Sequence, residues 1–422
     1  MHHHHQLART SGTRHAARVT TLSDKIDLSD LGLFADGTPH EVFRRLRRES
    51  PIFWNEQPDG SGFWAITRHA DVMQVSRDSE SFSNERHGIM IYDESFETSG
   101  RERTMLEMDA PRHTRLRALV SRGMKPRKIF ELEEFARRRF SEELDRCVEL
   151  GECDFVVDVA GTLPVQVICE MMGVPESDRR HLGLLANRIQ GFDAPELGGG
   201  CGGENSYAIQ EMSSYALALA SKRRRKPRDD IATAILQADI EGYAMDDAAF
   251  AAFFLLLITA GIETTKSSIS GGMLALTENP EQWAKLRKDA SALPDAIEEM
   301  IRWTTPIHHF RRTATRDTTI AGQPIRKHDR VVVWYSSANR DELVFEEPFR
   351  FDIARTPNDH LAFGFGSHYC LGANLARLEM RIVFEALVER GIEVDCRGKV
   401  DYMLSSFTNS LKRMPVRLRA DG

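Results

Sequence analysis

At 422 residues, 41% of them hydrophobic, the chain is long enough to bury a large core. It carries 56 Lys and Arg against 63 Asp and Glu, and the resulting formal net charge of −7 excludes nucleic acid as its main partner. The six cysteines contain no C-x-x-C pair, which argues against a zinc ribbon or a thioredoxin-like site, and the longest unbroken apolar run, Ala248 to Ile258, is too short to cross a bilayer. Scattered thiols without a secretory signal or hydrophobic N-terminal anchor predict a cytoplasmic protein. No Gly/Ser/Pro-rich linker and no internal repeat divides the chain, so one domain over 23–422 is expected.

In chain order, MHHHHQLART reads as a truncated purification tag, and residues 1–22 as tag plus disordered lead. An organellar transit peptide shares the composition of that lead, with Arg9, Arg14 and Arg18 ahead of the first acid at Asp24. Thr38-Pro39-His40-Glu41 predicts a helix start with a capping box, and the helix ends at Pro51. PIFWNE and GFWAIT predict a hairpin, followed by a short helix from about His69 to Arg77. Residues 79–110 lack sustained periodicity, as a functional or disordered connection does.

The next helix carries His113 and Arg117 four apart, hence on one face. From Arg112 to Lys128 there are seven Lys/Arg and no acid, a docking surface for an acidic partner or a solubilising face. Helical segments continue over 131–192, and the glycine-rich run 193–206 predicts a flexible loop. The basic run Lys222 to Lys226 suits a helix C-terminus. The longest helix runs from an acidic cap at Asp246-Asp247 to Asn279-Pro280, with Gly261, Glu263, Thr264 and Thr265 in its apolar middle. Glu299 and Arg302, three apart on a helix, are placed to pair. Strands follow, then an irregular meander over 341–362.

The meander leads into FGFGSHYCLGA, Phe363 to Ala373, with Cys370 among glycines and at the start of an amphipathic helix that Gly391 closes. Backbone N–H groups at a helix N-terminus stabilise a thiolate. MLSSFTNSLKRMPVRL predicts a terminal hairpin with its tip around Ser406 and Phe407.

The pattern F-x-x-G-x-H-x-C-x-G-A at Phe363–Ala373 resembles the heme-ligand loop of the cytochrome P-450 family, the heme-thiolate monooxygenases. Two further signatures of that family stand upstream in order: E-x-x-R at Glu299 and Arg302, and the acid-alcohol pair in AGIETT at Ala260–Thr265. The resemblance covers the chain from about Asp27 onward and implies a mainly α fold with small β-sheets, a triangular single domain with a long central helix over the heme. It implies heme b ligated through Cys370. His113, Arg117, Arg312 and His368 would hold the propionates, with Arg311 the alternative to Arg312; Phe363, Gly372 and Ala260 would lie against the macrocycle. Glu263 and Thr264 would deliver protons, in a local helix distortion that makes room for O2. Arg355 would complete a structural cluster with Glu299 and Arg302.

The same resemblance makes residues 79–110 a cover over the substrate. Ile89, Met90, Ile91, Met105, Leu257, Ile307, His308, His309 and Phe407 are the pocket candidates. The His308-His309 pair either binds a polar group of the substrate or is a satisfied structural pair. Electrons would come from NAD(P)H through an acidic ferredoxin and its reductase. SGFWAITRHADVM, LEMDAPRHTRLRALVSRGM and DDIATAILQADIEG look like actinobacterial members that oxidise steroids, and terpenoid branches share much of that wording. The expected substrate is therefore a steroid or terpenoid hydroxylated at an unactivated carbon. The alternatives are macrolide or polyketide tailoring and, in another class, a non-catalytic heme-thiolate sensor.

Overall fold

A computed structural model of the chain describes residues 26–57, 60–92, 102–123, 126–191, 203–240 and 242–420. The lead at 1–22 and most of the glycine-rich run at 193–206 lie outside these, as does the stretch 93–101 of the irregular connection. The helices are α1 His40–Glu49, α2 His69–Arg77, α3 Arg112–Gly123, α4 Pro126–Leu150, α5 Thr162–Met171, α6 Glu176–Gln190, α7 Gly203–Arg225, α8 Ile231–Gln237, α9 Asp247–Glu278, α10 Pro280–Lys288, α11 Leu293–Thr304, the single turn α12 Tyr335–Ala338, and α13 Ala373–Glu389.

The whole is organised by α9. Asp246 caps it by accepting from the Ala249 N–H, and it stops just before Pro280. As a 32-residue helix it is long and apolar enough by composition to span a membrane. Instead it lies in the core, packed by α5, α6, α7, α11 and α13. Phe250, Phe254, Ile258, Ile262, Ile269 and Met273 are all buried along it, and each stabilises the fold by roughly 1.5–3 kcal/mol over an exposed side chain.

The helix is continuous through Gly261, where a distortion was expected. Glycine gives room there: a Cβ would lie 2.9 Å from Ile168 Cδ1 on α5, so a larger residue would make that side chain shift. The capping box expected at Thr38 does not form, because Pro39 occupies the cap position and no side chain bonds the helix N-terminus. A capping box does form in the aperiodic stretch, where the Thr104 N–H and Oγ1 both reach Glu107 Oε2, at 2.7 and 2.8 Å.

The strands, in chain order, are β1 Ile52–Glu56, β2 Gly62–Ile66, β3 Phe82–Ser83, β4 Glu152–Asp154, β5 Asp239–Ile240, β6 Tyr243–Ala244, β7 His309–Ala314, β8 Thr318–Ile320, β9 Gln323–Ile325, β10 Arg330–Trp334, β11 Ile392–Cys396, β12 Asp401–Tyr402, β13 Leu411–Arg413 and β14 Pro415–Ala420. Among the described residues the largest sheet has the order β1-β2-β10-β7-β3. β1 and β2 are the expected hairpin, with Trp54 opposite Trp64. β7 runs antiparallel to β10, His309 opposite Trp334. β12 and β13 form the terminal hairpin and send Phe407 inward, where it is 4% exposed.

Candidate active site

Cys370 sits on the loop that feeds α13. Its N–H donates to Phe363 O at 2.8 Å, closing the loop on itself. Gly364 and Gly366 hold φ of 72° and 75°, and a Cβ on Gly366 would collide with the Ser76 carbonyl, so only glycine fits. The side chain is exposed at its surface yet deep among protein atoms. Burial therefore raises the thiol pKa, against the Gly372 N–H and the charges of Arg117 and Arg377, which lower it.

Beneath the loop lies a polar core centred on the Glu299 carboxylate. Glu299 and Arg302 are both 0% exposed and pair bidentately, at 2.7 and 2.8 Å. Arg355 Nε reaches Glu299 Oε2 at 3.1 Å, while the Asp352 N–H and Asn358 Nδ2 donate to the same carboxylate. Arg302 Nη1 then ties down Asn339 O and Pro348 O. Asn339 Oδ1 takes the Leu361 N–H at 2.7 Å, two residues before Phe363. The three residues of the expected cluster are thus in contact, and their bonds run to the start of the cysteine loop.

The four groups expected at the propionates also converge. His113 stacks on His368 with ring centroids 4.0 Å apart. Arg117 Nη2 donates to Tyr369 O at 2.7 Å, and Arg312 is 4% exposed. Burial pushes the His368 imidazole down to about 2, and Arg312, His113 and Arg117 push it the same way. Burial and then Arg117 lower His113. Among the described residues, the buried His368 Nδ1 has no hydrogen-bond partner. Arg311, the alternative to Arg312, turns to the other face of β7 and donates to Thr313 Oγ1.

On α9 Leu257, Ala260 and Thr264 are half-buried at helical spacing, with Leu256 and Gly261 half-buried beside them, so this side of the core helix is incompletely covered and borders a recess. Thr264 Oγ1 donates back to Ala260 O at 2.5 Å. Glu263 is 3% exposed, and Lys266 Nζ holds its carboxylate at 2.7 Å. The same ammonium reaches Asn187 Oδ1 on α6 at 3.2 Å. Sequence reasoning missed Lys266, although a lysine three residues after an acid inside an apolar helix was a readable signal. Asn187 carried none.

Of the pocket candidates, Ile89, Ile91, Met105, His308, His309 and Phe407 are buried, while Met90, Leu257 and Ile307 are half-buried. Ile307 bridges Thr408, and the Phe407 ring lies 5.6 Å from both His309 and Phe310. Ile89 O accepts from the Arg311 N–H at 2.8 Å, which lays the 79–110 stretch along β7. Met105 belongs instead to the large helical core cluster.

Comparison with known proteins decides the family. Residues 206–391 match the sequence model of cytochrome P450. Over 414 residues, 93% of this chain and 97% of the other, it is 42% identical to a protein of Mycobacterium tuberculosis named cytochrome P450 126. The chain belongs to the cytochrome P450 family. This P450 is also 37% identical to the steroid C26-monooxygenase of Rhodococcus jostii, across 98% of its own length and 89% of that enzyme's. To the methyl-branched lipid omega-hydroxylase of Mycobacterium bovis it is 38% identical, across 93% and 94%. Its fold matches a Mycobacterium marinum P450 solved in complex with pseudoionone, with a TM-score of 0.85, 35% identity and coverage of 95% and 100%.

It is therefore a heme-thiolate monooxygenase that uses O2 and NAD(P)H-derived electrons supplied by redox partners, which sets the non-catalytic sensor aside. The residues present fit that cofactor. A thiol lines the deep end of the site, and the groups acting on His368 are all cationic or imidazole, with no acid among them. A dianionic group such as a pair of carboxylates neutralises such a cluster.

Proposed function

We propose that this P450 hydroxylates an unactivated alkyl carbon of a steroid or other terpenoid. The observation that carries the chemistry is the deeply set thiol of Cys370 on the same loop as His368, on which Arg312, His113 and Arg117 all act. What supports the substrate class is the naming of relatives for a steroid terminal carbon and of a structural neighbour for an isoprenoid ketone. A branched-chain lipid is the second reading, favoured by the omega-hydroxylase relative.

Heme, when bound, supplies the activation of O2 and the oxidation of the C–H bond. Cys370 would ligate its iron through sulfur, and the Gly372 N–H would temper the charge there. His113, Arg117, Arg312 and His368 would hold the propionates, while Phe363, Gly372 and Ala260 would lie against the ring. Glu299, Arg302 and Arg355 fix the loop and do no chemistry. Glu263 draws protons from the Lys266 side, and Thr264 Oγ1 passes them into the recess. Leu257, Ile89, Met90, Ile91, Ile307 and Phe407 wall the substrate and exclude water.

The basic stretch from Arg112 to Lys128 docks an acidic ferredoxin, and its Arg117 hydrogen-bonds the loop beside Cys370. Residues 23–422 act as one domain, in the cytoplasm, where the free cysteines stay reduced.

The test is a spin-state titration of the purified protein against steroid, terpenoid, branched-lipid and macrolide panels, with product analysis after turnover with a surrogate ferredoxin and reductase. Tight binding and oxidation of an alkyl carbon on a steroid or terpenoid is the expected result. A response confined to macrolides overturns the reading.

A further inference from the structure

Two thiols away from the Cys370 loop stand beside each other. Cys147 lies in the last turn of α4, and Cys153 lies on β4, six residues further along. Between them the chain reverses at Gly151, which holds φ of 73° and donates its N–H to Cys147 O at 3.1 Å. A positive φ at that point suits glycine, so the helix stops there and β4 returns alongside its end. The two side chains then meet, sulfur to sulfur, in a hydrogen bond.

The surroundings hold both thiols in place. Cys153 is fixed by the pairing of β4 with β14, where it stands opposite Val416. Cys147 Sγ donates to Asp158 O, 3.4 Å away, in the π-helical turn Phe155–Ala160. The Asp158 carboxylate accepts from the Asp154 N–H at 2.9 Å, which folds this stretch back over the end of α4. Cys147 is 1% exposed and Cys153 is half-buried, so a reagent reaches the pair through Cys153. The sulfurs hold one proton between them. Their hydrogen bond makes the first proton easier to lose than from an isolated thiol, and the second harder.

Neither of two other described cysteines shares this arrangement. Cys169 is 0% exposed, and burial pushes its thiol up to about 12. Cys396 on β11 also stands opposite Val416, on the far side of β14 from Cys153. Two strand spacings, about 9–10 Å, therefore separate those two residues, beyond disulfide reach.

We propose that Cys147 and Cys153 form a reversible dithiol–disulfide site, oxidised by exchange with a small disulfide such as oxidised glutathione. The dithiol is the resting form. The Cys153 sulfur attacks one glutathione sulfur, the S–S bond breaks, and one glutathione leaves as a thiol with the Cys153 proton. The Cys147 sulfur then attacks Cys153, expels the second glutathione with the Cys147 proton, and closes the new bond. Two protein thiols lose one electron each, and the glutathione disulfide gains both. With one sulfur half-buried, the bond is of the accessible kind that a thiol pool reduces again. Closed, it ties the end of α4 to the sheet β11-β14-β4 and ends the donation from Cys147 to Asp158 O.

The test equilibrates the heme-loaded protein in glutathione buffers of rising disulfide fraction, then quenches with acid, alkylates and maps peptides by mass. Digestion after glutamate cuts between the two cysteines, at Glu149 and Glu152, so only a disulfide keeps those fragments together. The expected result is a Cys147–Cys153 link whose fraction follows the glutathione ratio and disappears with dithiothreitol, while Cys169 stays reduced. Cys147→Ser should strand Cys153 as its glutathione adduct, about tenfold more abundant than in the native protein. Cys153→Ser should leave Cys147 unmodified. A native heme-to-protein ratio certifies that each variant folds, and if neither does, the map of the native protein decides. Both thiols free across the whole range, Cys153 halted at the adduct in the native protein, or a link that forms only in urea would each overturn the proposal.

Discussion

Glu299 and His309 are both buried polar side chains, on consecutive elements of the chain, and the fold treats them in opposite ways. The Glu299 carboxylate accepts from Arg302, Arg355, Asn358 and the Asp352 backbone. His309 accepts from nothing and donates to nothing. A saturated network has one arrangement, and here it fixes the loop on which Cys370 sits. An unsaturated one carries a desolvation cost that no bond offsets. Among the described residues, the half under the Cys370 loop is bonded on every side at Glu299, and the half around His309 is left open.

Damage to the closed half should have the largest effect. Glu299→Gln leaves two buried guanidinium groups without their counter-charge, at a cost of about 3–5 kcal/mol. The expected outcome is loss of heme retention and a much lower urea midpoint, read from the heme-to-protein ratio and from denaturation. Next comes the hydroxyl between the halves. Thr264→Ala should lower coupled product formation about a hundredfold while substrate affinity and heme content hold, measured as product per NADH consumed. On the open half, Phe407→Leu changes a wall without emptying it. It should weaken substrate binding by about tenfold or less, near 1 kcal/mol, with heme content unchanged. Loss of heme from that variant would erase the distinction between the halves.

The smallest effect lies at the edge of the closed half. Burial would raise the Glu298 carboxyl, but hydrogen bonds from Arg377 and His360 outweigh it and hold the group down to about 2. A carboxyl depressed in the folded state gives stability that is full above its unfolded value of about 4.3 and is lost as pH falls towards 2. Because the pair is partly exposed, screening leaves about 1 kcal/mol. Glu298→Gln should flatten the stability profile across that window, measured by urea denaturation at a series of pH values.

The closed half was also the legible half. Cys370, Glu299 with Arg302, and the Glu263-Thr264 pair announce themselves because their chemistry tolerates few other residues at those spacings. The start and end of α9 were readable from Asp246 and Pro280, where local rules of capping and ring closure decide. Where tertiary contact decides, the sequence was silent. Gly261 looked like a weak point in a helix and proves to be room for Ile168. Thr38 looked like a cap and is displaced by Pro39. His308 and His309 were indistinguishable, since only Ser336, 27 residues beyond His309, separates the satisfied imidazole from the bare one. Lys266 reaches Asn187 across 79 residues of sequence, a separation no local pattern reports.

Sulfur ligation by Cys370 underlies every role assigned above, and light absorption reads it directly. The purified protein is reduced, exposed to carbon monoxide and compared with the Cys370→Ala variant. The account predicts the strongly red-shifted band of an anionic sulfur ligand in the native protein and its absence in the variant. The same band in Cys370→Ala, or a native protein that cannot be reconstituted with heme, would contradict it.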